Sequence, residues 1–283
     1  MNEQPSPLRS RSDHGRELRL LAPLALAGAL LVAACGASGT AGTAGTASPA
    51  ASVAPSSSPT IATALQNDFV RVVNQVSPSV VVVETPSGLG SGIVFDTTGD
   101  IITNNHVVAG SKTFAVTLAD GQRLPATLVG ADPAGDIAVV HVNATNLQPA
   151  TFADSSKVVV GDIVLALGNP LGLQSSVTQG IVSAVGRSVP ESSTVTLPDV
   201  IQTSAEINPG NSGGALVDLA GNVVGIPTLG ALDPQIGNTA AAGIGFAISS
   251  NTAVDVANQL IANGRVTTAA PTAAPTATAS VAP

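Results

Sequence analysis

Five Phe and not one Trp or Tyr occur in 283 residues, and this scarcity limits how the chain can fold. Without large rings, a core must be packed from aliphatic side chains. The runs Val80-Val81-Val82-Val83 and Val158-Val159-Val160 offer them. β-Branched residues are stiff at χ1 and fit a pleated, buried surface, so a β-rich fold is expected. Short apolar runs broken by turn residues fall into two groups of six, one from Val80 to His141 and one from Val158 to Ile248. Asp120-Gly121 and the segment Asp218–Asn222 read as hairpin turns. The pattern predicts an all-β fold of two six-stranded antiparallel barrels, which leave no sheet edge exposed. Barrel one spans about 78–152 and barrel two about 158–249. Phe69, Val70, Val72, Val73 and Val76 lie at helical spacing before Pro78 and predict a short N-terminal helix. Ala253–Asn263, with Gly264 past its end, predicts a C-terminal helix.

The ends of the chain differ from this middle. Arg9, Arg11, Arg16 and Arg19 precede an apolar stretch, Leu20–Ala34. That stretch is about 15 residues long, short of the roughly 20 that span a bilayer. It reads as an export signal, residues 1–35. Its end, Val32-Ala33-Ala34-Cys35, resembles a bacterial lipoprotein cleavage box. That resemblance implies lipidation of Cys35, the chain's one cysteine, and an anchor on the outer side of the cytoplasmic membrane. An incidental cysteine in an ordinary signal is the plainer alternative. Residues 36–60 are Ala, Gly, Thr, Ser and Pro and read as a disordered linker. Residues 267–283 read as a disordered low-complexity tail. The folded part is expected at 61–266.

One cysteine forms no internal disulfide and no zinc cluster. The formal net charge is −8, and the few Lys and Arg do not cluster in the folded part. Phosphate binding needs a basic face, so nucleic acid is not expected as a partner. Once the signal is removed, His106 and His141 are the histidines that remain, which narrows the choice of a general base.

Three segments could carry chemistry: Thr103-Asn104-Asn105-His106-Val107-Val108, Asp132-Pro133-Ala134-Gly135-Asp136-Ile137-Ala138-Val139, and Asn208-Pro209-Gly210-Asn211-Ser212-Gly213-Gly214. A serine hydroxyl attacks only when a base takes its proton, and imidazole has a suitable pKa. The imidazole needs a carboxylate to fix its tautomer. A developing oxyanion needs preorganised donors. In a glycine-rich loop, the N–H groups of Gly210 and Ser212 can converge on one small hole, because Gly210 permits a sharp turn. Each piece also has a plainer meaning: a flexible turn around Ser212, a surface His106, an Asp136 that caps a turn. His141, within the alternating run Val139-Val140-His141-Val142, reads as a solvent-facing strand residue and the lesser candidate for the base.

Taken together, the three segments resemble the catalytic blocks of the HtrA/Deg family of trypsin-like serine proteases, in the order His, Asp, Ser. Gly90-Ser91-Gly92, Ala166-Leu167-Gly168-Asn169-Pro170, Gln179-Gly180-Ile181-Val182-Ser183 and Gly243-Ile244-Gly245-Phe246-Ala247-Ile248 extend the likeness over about 69–266. The resemblance implies a trypsin-like double barrel with its active site in the cleft. His106, Asp136 and Ser212 would be the triad, and Gly210 and Ser212 the oxyanion hole. It further implies cleavage of unfolded or damaged exported proteins after small aliphatic residues, with no metal, no ATP and no other cofactor, and a homotrimer formed around Phe69–Val76. Ile207, Thr228 and Leu229 are the expected substrate-pocket residues. Glu206, six residues before Ser212, could instead favour Lys or Arg in the substrate; an exposed or backbone-bonded Glu206 is the preferred reading. A PDZ domain, usual in the family, is not expected, since the tail begins where it would start. The segment Gly186–Pro198 is expected to be a loop of the kind that switches between ordered and disordered forms. The competing function is an inactive, protease-fold lipoprotein that holds unfolded chains.

Overall fold

Strand alternates with turn from Val80 onward. The computed structural model describes residues 60–169, 176–190, 195–208, 210–233 and 239–267, with the backbone alone described at 229–233 and 239–242. These residues belong to a compact unit spanning 57–283. The segments expected to be export signal, linker and C-terminal tail, Cys35 among them, lie outside the described residues, apart from Thr60 and Thr267 at their borders.

The first sheet contains β1 (Val80–Thr85), β2 (Gly88–Val94), β3 (Asp100–Thr103), β4 (Phe114–Thr117), β5 (Arg123–Asp132) and β6 (Ile137–Val142). All its pairings are antiparallel, and the order β1-β2-β3-β6-β5-β4 returns from β4 to β1, closing a barrel. The valine run explains the closure. Val81 and Val83 point into the barrel with Ile101, Val116 and Val140, while Val80 faces a second core between the sheets with Ile93, Ile102 and Val139. A strand buried on both faces reads as a continuous apolar run rather than an alternating one. Each such side chain, once fully buried, is worth about 1.5–3 kcal/mol.

The second sheet contains β7 (Ile163–Gly168), β8 (Ser176–Pro190), β9 (Thr196–Thr203), β10 (Ala215–Val217), β11 (Val223–Asp233) and β12 (Thr239–Ser249). Its pairings run β10-β11-β12-β9-β8-β7, and β7 pairs in turn with β10. Val164, Ala166, Val182, Ile201 and Leu216 fill its inner face, while Leu165, Leu167, Val200 and Ile226 join the core between the sheets. That shared core fixes one sheet against the other, and the candidate site depends on it.

Among the described residues, three α-helices complete the fold. In α1 (Ile61–Val76), Val72 and Val76 are buried, and Arg71 donates to the Leu219 carbonyl at 2.9 Å. The helix starts earlier than its apolar spacing suggests, because the Thr60 hydroxyl accepts from the Thr63 N–H and caps it. The four-residue α2 (Asn105–Val108) carries His106. In α3 (Ser250–Asn263), Ala253, Val256, Ala257 and Leu260 form the buried face, and Gly264 at φ 68° ends it in the left-handed conformation.

Two expectations need correction. Val158-Val159-Val160 is not a strand: Asp162 accepts from the Val159 N–H at 3.0 Å and closes a turn, so Val159 and Val160 are 59% and 62% exposed. Gly186–Pro198 is not wholly a loop either. β8 continues to Pro190 and β9 starts at Thr196, paired through Arg187–Val200, Val189–Leu197 and Pro190–Thr196. Pro190 is the last residue of β8, and the register shifts of the β8–β9 pairing all lie before it, between Val182 and Val189. Both glycine turns form as expected: Gly121 N–H donates to the Leu118 carbonyl and Gly221 N–H to the Asp218 carbonyl.

Candidate active site

β3 ends at Thr103, and the next residues turn back over the mouth of the barrel. Asn104 is fully buried; its side-chain N–H₂ donates to the Asp136 carbonyl at 2.9 Å, and the Asn105 N–H donates to the same oxygen at 3.1 Å. These bonds hold α2 against the turn before β6. In that turn Asp136 has φ 51°, a left-handed conformation that Asp tolerates better than most residues. The conformation aims its carboxylate at α2. Oδ1 accepts from the His106 backbone N–H, and Oδ2 accepts from His106 Nδ1, each at 2.9 Å. A carboxylate only accepts, so Nδ1 carries a hydrogen, and in the neutral ring the lone pair is then on Nε2. The Asp136 side chain is 1% exposed and that of His106 43%, so the charge is sheltered while the imidazole faces the outside.

The second sheet completes the group. Thr228, on β11, donates its hydroxyl to Asp136 Oδ2 at 2.6 Å. Its carbonyl accepts from the Ser212 hydroxyl at 2.9 Å. Ser212 lies in a tight turn in which the N–H groups of Asn211, Gly213 and Gly214 donate to the carbonyls of Asn208, Pro227 and Asn211. Gly210 is buried with φ 105°, the sharp turn expected of it. At Gly213 (φ 81°) a Cβ would lie 2.2 Å from the Ser91 carbonyl oxygen, so only glycine fits there.

His106, Asp136 and Thr228 thus meet, and Ser212 joins them through Thr228. The other candidates lie around this centre. Ile207 is half-buried, packs on the inner core of the second sheet, and faces Gly245, where a Cβ would lie 2.4 Å from its Cγ1. The Glu206 side chain is exposed, while its carbonyl accepts from the Thr178 hydroxyl and the Asn211 amide. Leu229 pairs with Phe246 between β11 and β12; its side chain lies outside the described residues. His141 is distant in the ladder: it pairs across β3 and β6 with Asp100, Nδ1 to Oδ1 at 2.9 Å. Sequence reasoning missed the Thr228–Asp136 bond, which joins residues 92 positions apart and has no local signal. It also missed the partners of Ser91, although Gly90-Ser91-Gly92 stood out as a motif.

Over residues 90–226 the chain matches the family model described as the trypsin-like peptidase domain, the class that this barrel, His–Asp pair and glycine-rich serine turn define. It is 48% identical over 181 residues to a probable periplasmic serine protease do/HhoA-like of Haemophilus influenzae, covering 63% of this chain and 38% of that one. It is 43% identical over 238 residues to the serine protease PepD of Mycobacterium tuberculosis, covering 75% of this chain and 51% of that one. The chain spans about half the length of these curated relatives, or less. Among solved structures, the HtrA-type protease AlgW with a tripeptide superposes with a TM-score of 0.64 at 41% identity, over 70% of this chain and 65% of that one. The same protease with a decapeptide gives 0.62 at 36% identity, over 69% and 68%. The chain belongs to the HtrA/Deg family of trypsin-like serine proteases.

Proposed function

We propose that this chain is a serine endopeptidase in which Ser212, His106 and Asp136 form the triad. The observation that carries the reading is the bridge through Thr228: one residue of the second sheet binds the buried carboxylate with its hydroxyl and the serine hydroxyl with its carbonyl. In this reading the second sheet is the second barrel of a trypsin-like pair, and 61–266 is the protease domain. During attack the Ser212 hydroxyl turns from the Thr228 carbonyl to His106 Nε2 and gives up its proton there. Asp136 stabilises the resulting imidazolium. The Gly210 and Ser212 N–H groups receive the oxyanion. His106 then protonates the leaving amine, and a water deprotonated by His106 releases the acyl group.

The substrates proposed are unfolded or damaged exported polypeptides, cut after small aliphatic residues. Ile207 filling the space that Gly245 leaves open supports a shallow apolar pocket, and the exposed Glu206 supports the absence of a buried carboxylate at its floor. The export signal and the relatives named periplasmic support a place in the cell envelope, with Cys35 as lipid anchor. The exposed Ile61, Leu65 and Val70 of α1 leave apolar surface for a trimer contact near Phe69–Val76. Proteomic mapping of cleavage sites with wild type and Ser212→Ala tests this reading. Cuts after Val and Ala that vanish in the variant are expected; a dominant preference for Arg would overturn the aliphatic pocket.

A further inference from the structure

We infer that Ser91 is a positioning residue for the oxyanion hole, acting from the first barrel on a loop of the second sheet. Ser91 is fully buried on β2. A buried hydroxyl costs stability unless both its donor and its acceptor are used, and here both are. Its Oγ donates to the Gly210 carbonyl and accepts from the Asn169 N–H at 2.8 Å, just past the end of β7. Its backbone N–H donates to the Ser212 carbonyl at 2.9 Å, and its carbonyl accepts from the Thr103 hydroxyl at 2.7 Å. One residue therefore anchors the carbonyls of both residues whose N–H groups are proposed to hold the oxyanion.

Peptide units are planar, and the carbonyl and N–H of one residue are linked through only two soft torsions. Anchoring the Gly210 and Ser212 carbonyls on β2 limits how far their N–H groups can swing. The restraint matters most at Gly210, whose φ of 105° lies where glycine alone moves freely. The close approach needs glycine on both sides: a Cβ at Gly90 would meet Val107 at 2.7 Å and the Ser212 carbonyl oxygen at 3.3 Å, and one at Gly213 would meet the Ser91 carbonyl oxygen. Alanine at position 91 would leave the Gly210 carbonyl unanchored while the main-chain bond to Ser212 stays.

The inference rests on the proposed role of Ser212, so the experiment separates the two. Full-length wild type, Ser91→Ala and Ser250→Ala are compared on a peptide p-nitroanilide ending in Val, with the matching peptide aldehyde as transition-state analogue. Ser250 is a matched control: it is fully buried and donates to the Ala153 carbonyl at 2.7 Å, away from the site. Ser91→Ala is expected to lower kcat and aldehyde affinity in parallel by about 10–100-fold, with KM within about threefold. Ser250→Ala is expected to lose comparable thermal stability at unchanged kcat. Should Ser91→Ala not fold, Ser91→Cys keeps the bulk and a weaker donor, and the same parallel loss is expected at smaller size. A folded variant at position 91 that keeps kcat and aldehyde affinity overturns the inference. Wild type that neither cleaves the peptide nor reacts with a fluorophosphonate overturns the protease reading itself.

Discussion

The first barrel contains two His–Asp pairs that are alike in local geometry. In each, imidazole Nδ1 lies 2.9 Å from a carboxylate oxygen. The His side chains are 43% and 40% exposed and the Asp side chains 1% and 10%. His106 sits on α2 and Asp136 on the turn before β6; His141 and Asp100 face each other across the β3–β6 ladder. The difference lies in what approaches from elsewhere. Asp136 receives a second-sheet hydroxyl from Thr228, and Ser212 is tied to that same residue. Asp100 sits behind the turn that Asp96 organises. In the proposed reading a His–Asp pair is no catalytic unit by itself; what sets His106–Asp136 apart is the bond from Thr228 and the nearby Ser212.

Exchanging the histidines gives the widest contrast. His106→Ala is expected to lower kcat on the order of a million-fold, whereas His141→Ala changes kcat by no more than about twofold, measured with active enzyme titrated. Comparable losses from both would break the distinction. The carboxylates come next. Asp136→Asn forces the wrong tautomer on His106 and is expected to cost on the order of ten-thousand-fold in kcat. Asp100→Asn is expected to leave kcat nearly unchanged while costing about 1–3 kcal/mol in denaturant unfolding. Thr228→Val sharpens the comparison, since it removes only the bond that Asp100 never had. It is expected to lower kcat about tenfold with little change in KM.

The smallest effect concerns the turn that holds the strand of Asp100. Burial, the largest influence on the Asp96 carboxyl, opposes its charge, but hydrogen bonds from Thr98, Gly99 and Asp100 outweigh it and lower its pKa below 3.8. A folded pKa below the unfolded one means stability that is fully present above 3.8 and lost as the pH falls through the folded value. Asp96→Asn is expected to flatten this acid limb of the stability curve. It should leave the activity of the His106 pair at neutral pH unchanged.

These contrasts also mark what could be read from the amino-acid order. His106, Asp136 and Ser212 stood out because their three segments resemble the catalytic blocks of the family; the structure brings His106 and Asp136 together, and the triad is the reading proposed above. Most strands were legible because the aliphatic runs are strong. The runs misled where a short polar side chain closes a turn, as Asp162 does beneath Val159. Pro190 and Pro198 misled as well: β8 continues to Pro190, and β9, from Thr196, contains Pro198. Thr228 was expected to line the substrate pocket; its bond to Asp136 crosses from one sheet to the other, and nothing local encodes it. The partner of His141 was hidden for the same reason, since Asp100 meets it only through strand register.

In the proposed triad Ser212 is activated by His106 and not by His141. Labelling of the full chain with a fluorophosphonate, read by mass spectrometry, tests this most directly. The adduct is expected on Ser212, lost in His106→Ala and retained in His141→Ala. An adduct on Ser212 that survives His106→Ala at the wild-type rate, or that disappears in a folded His141→Ala, would contradict it.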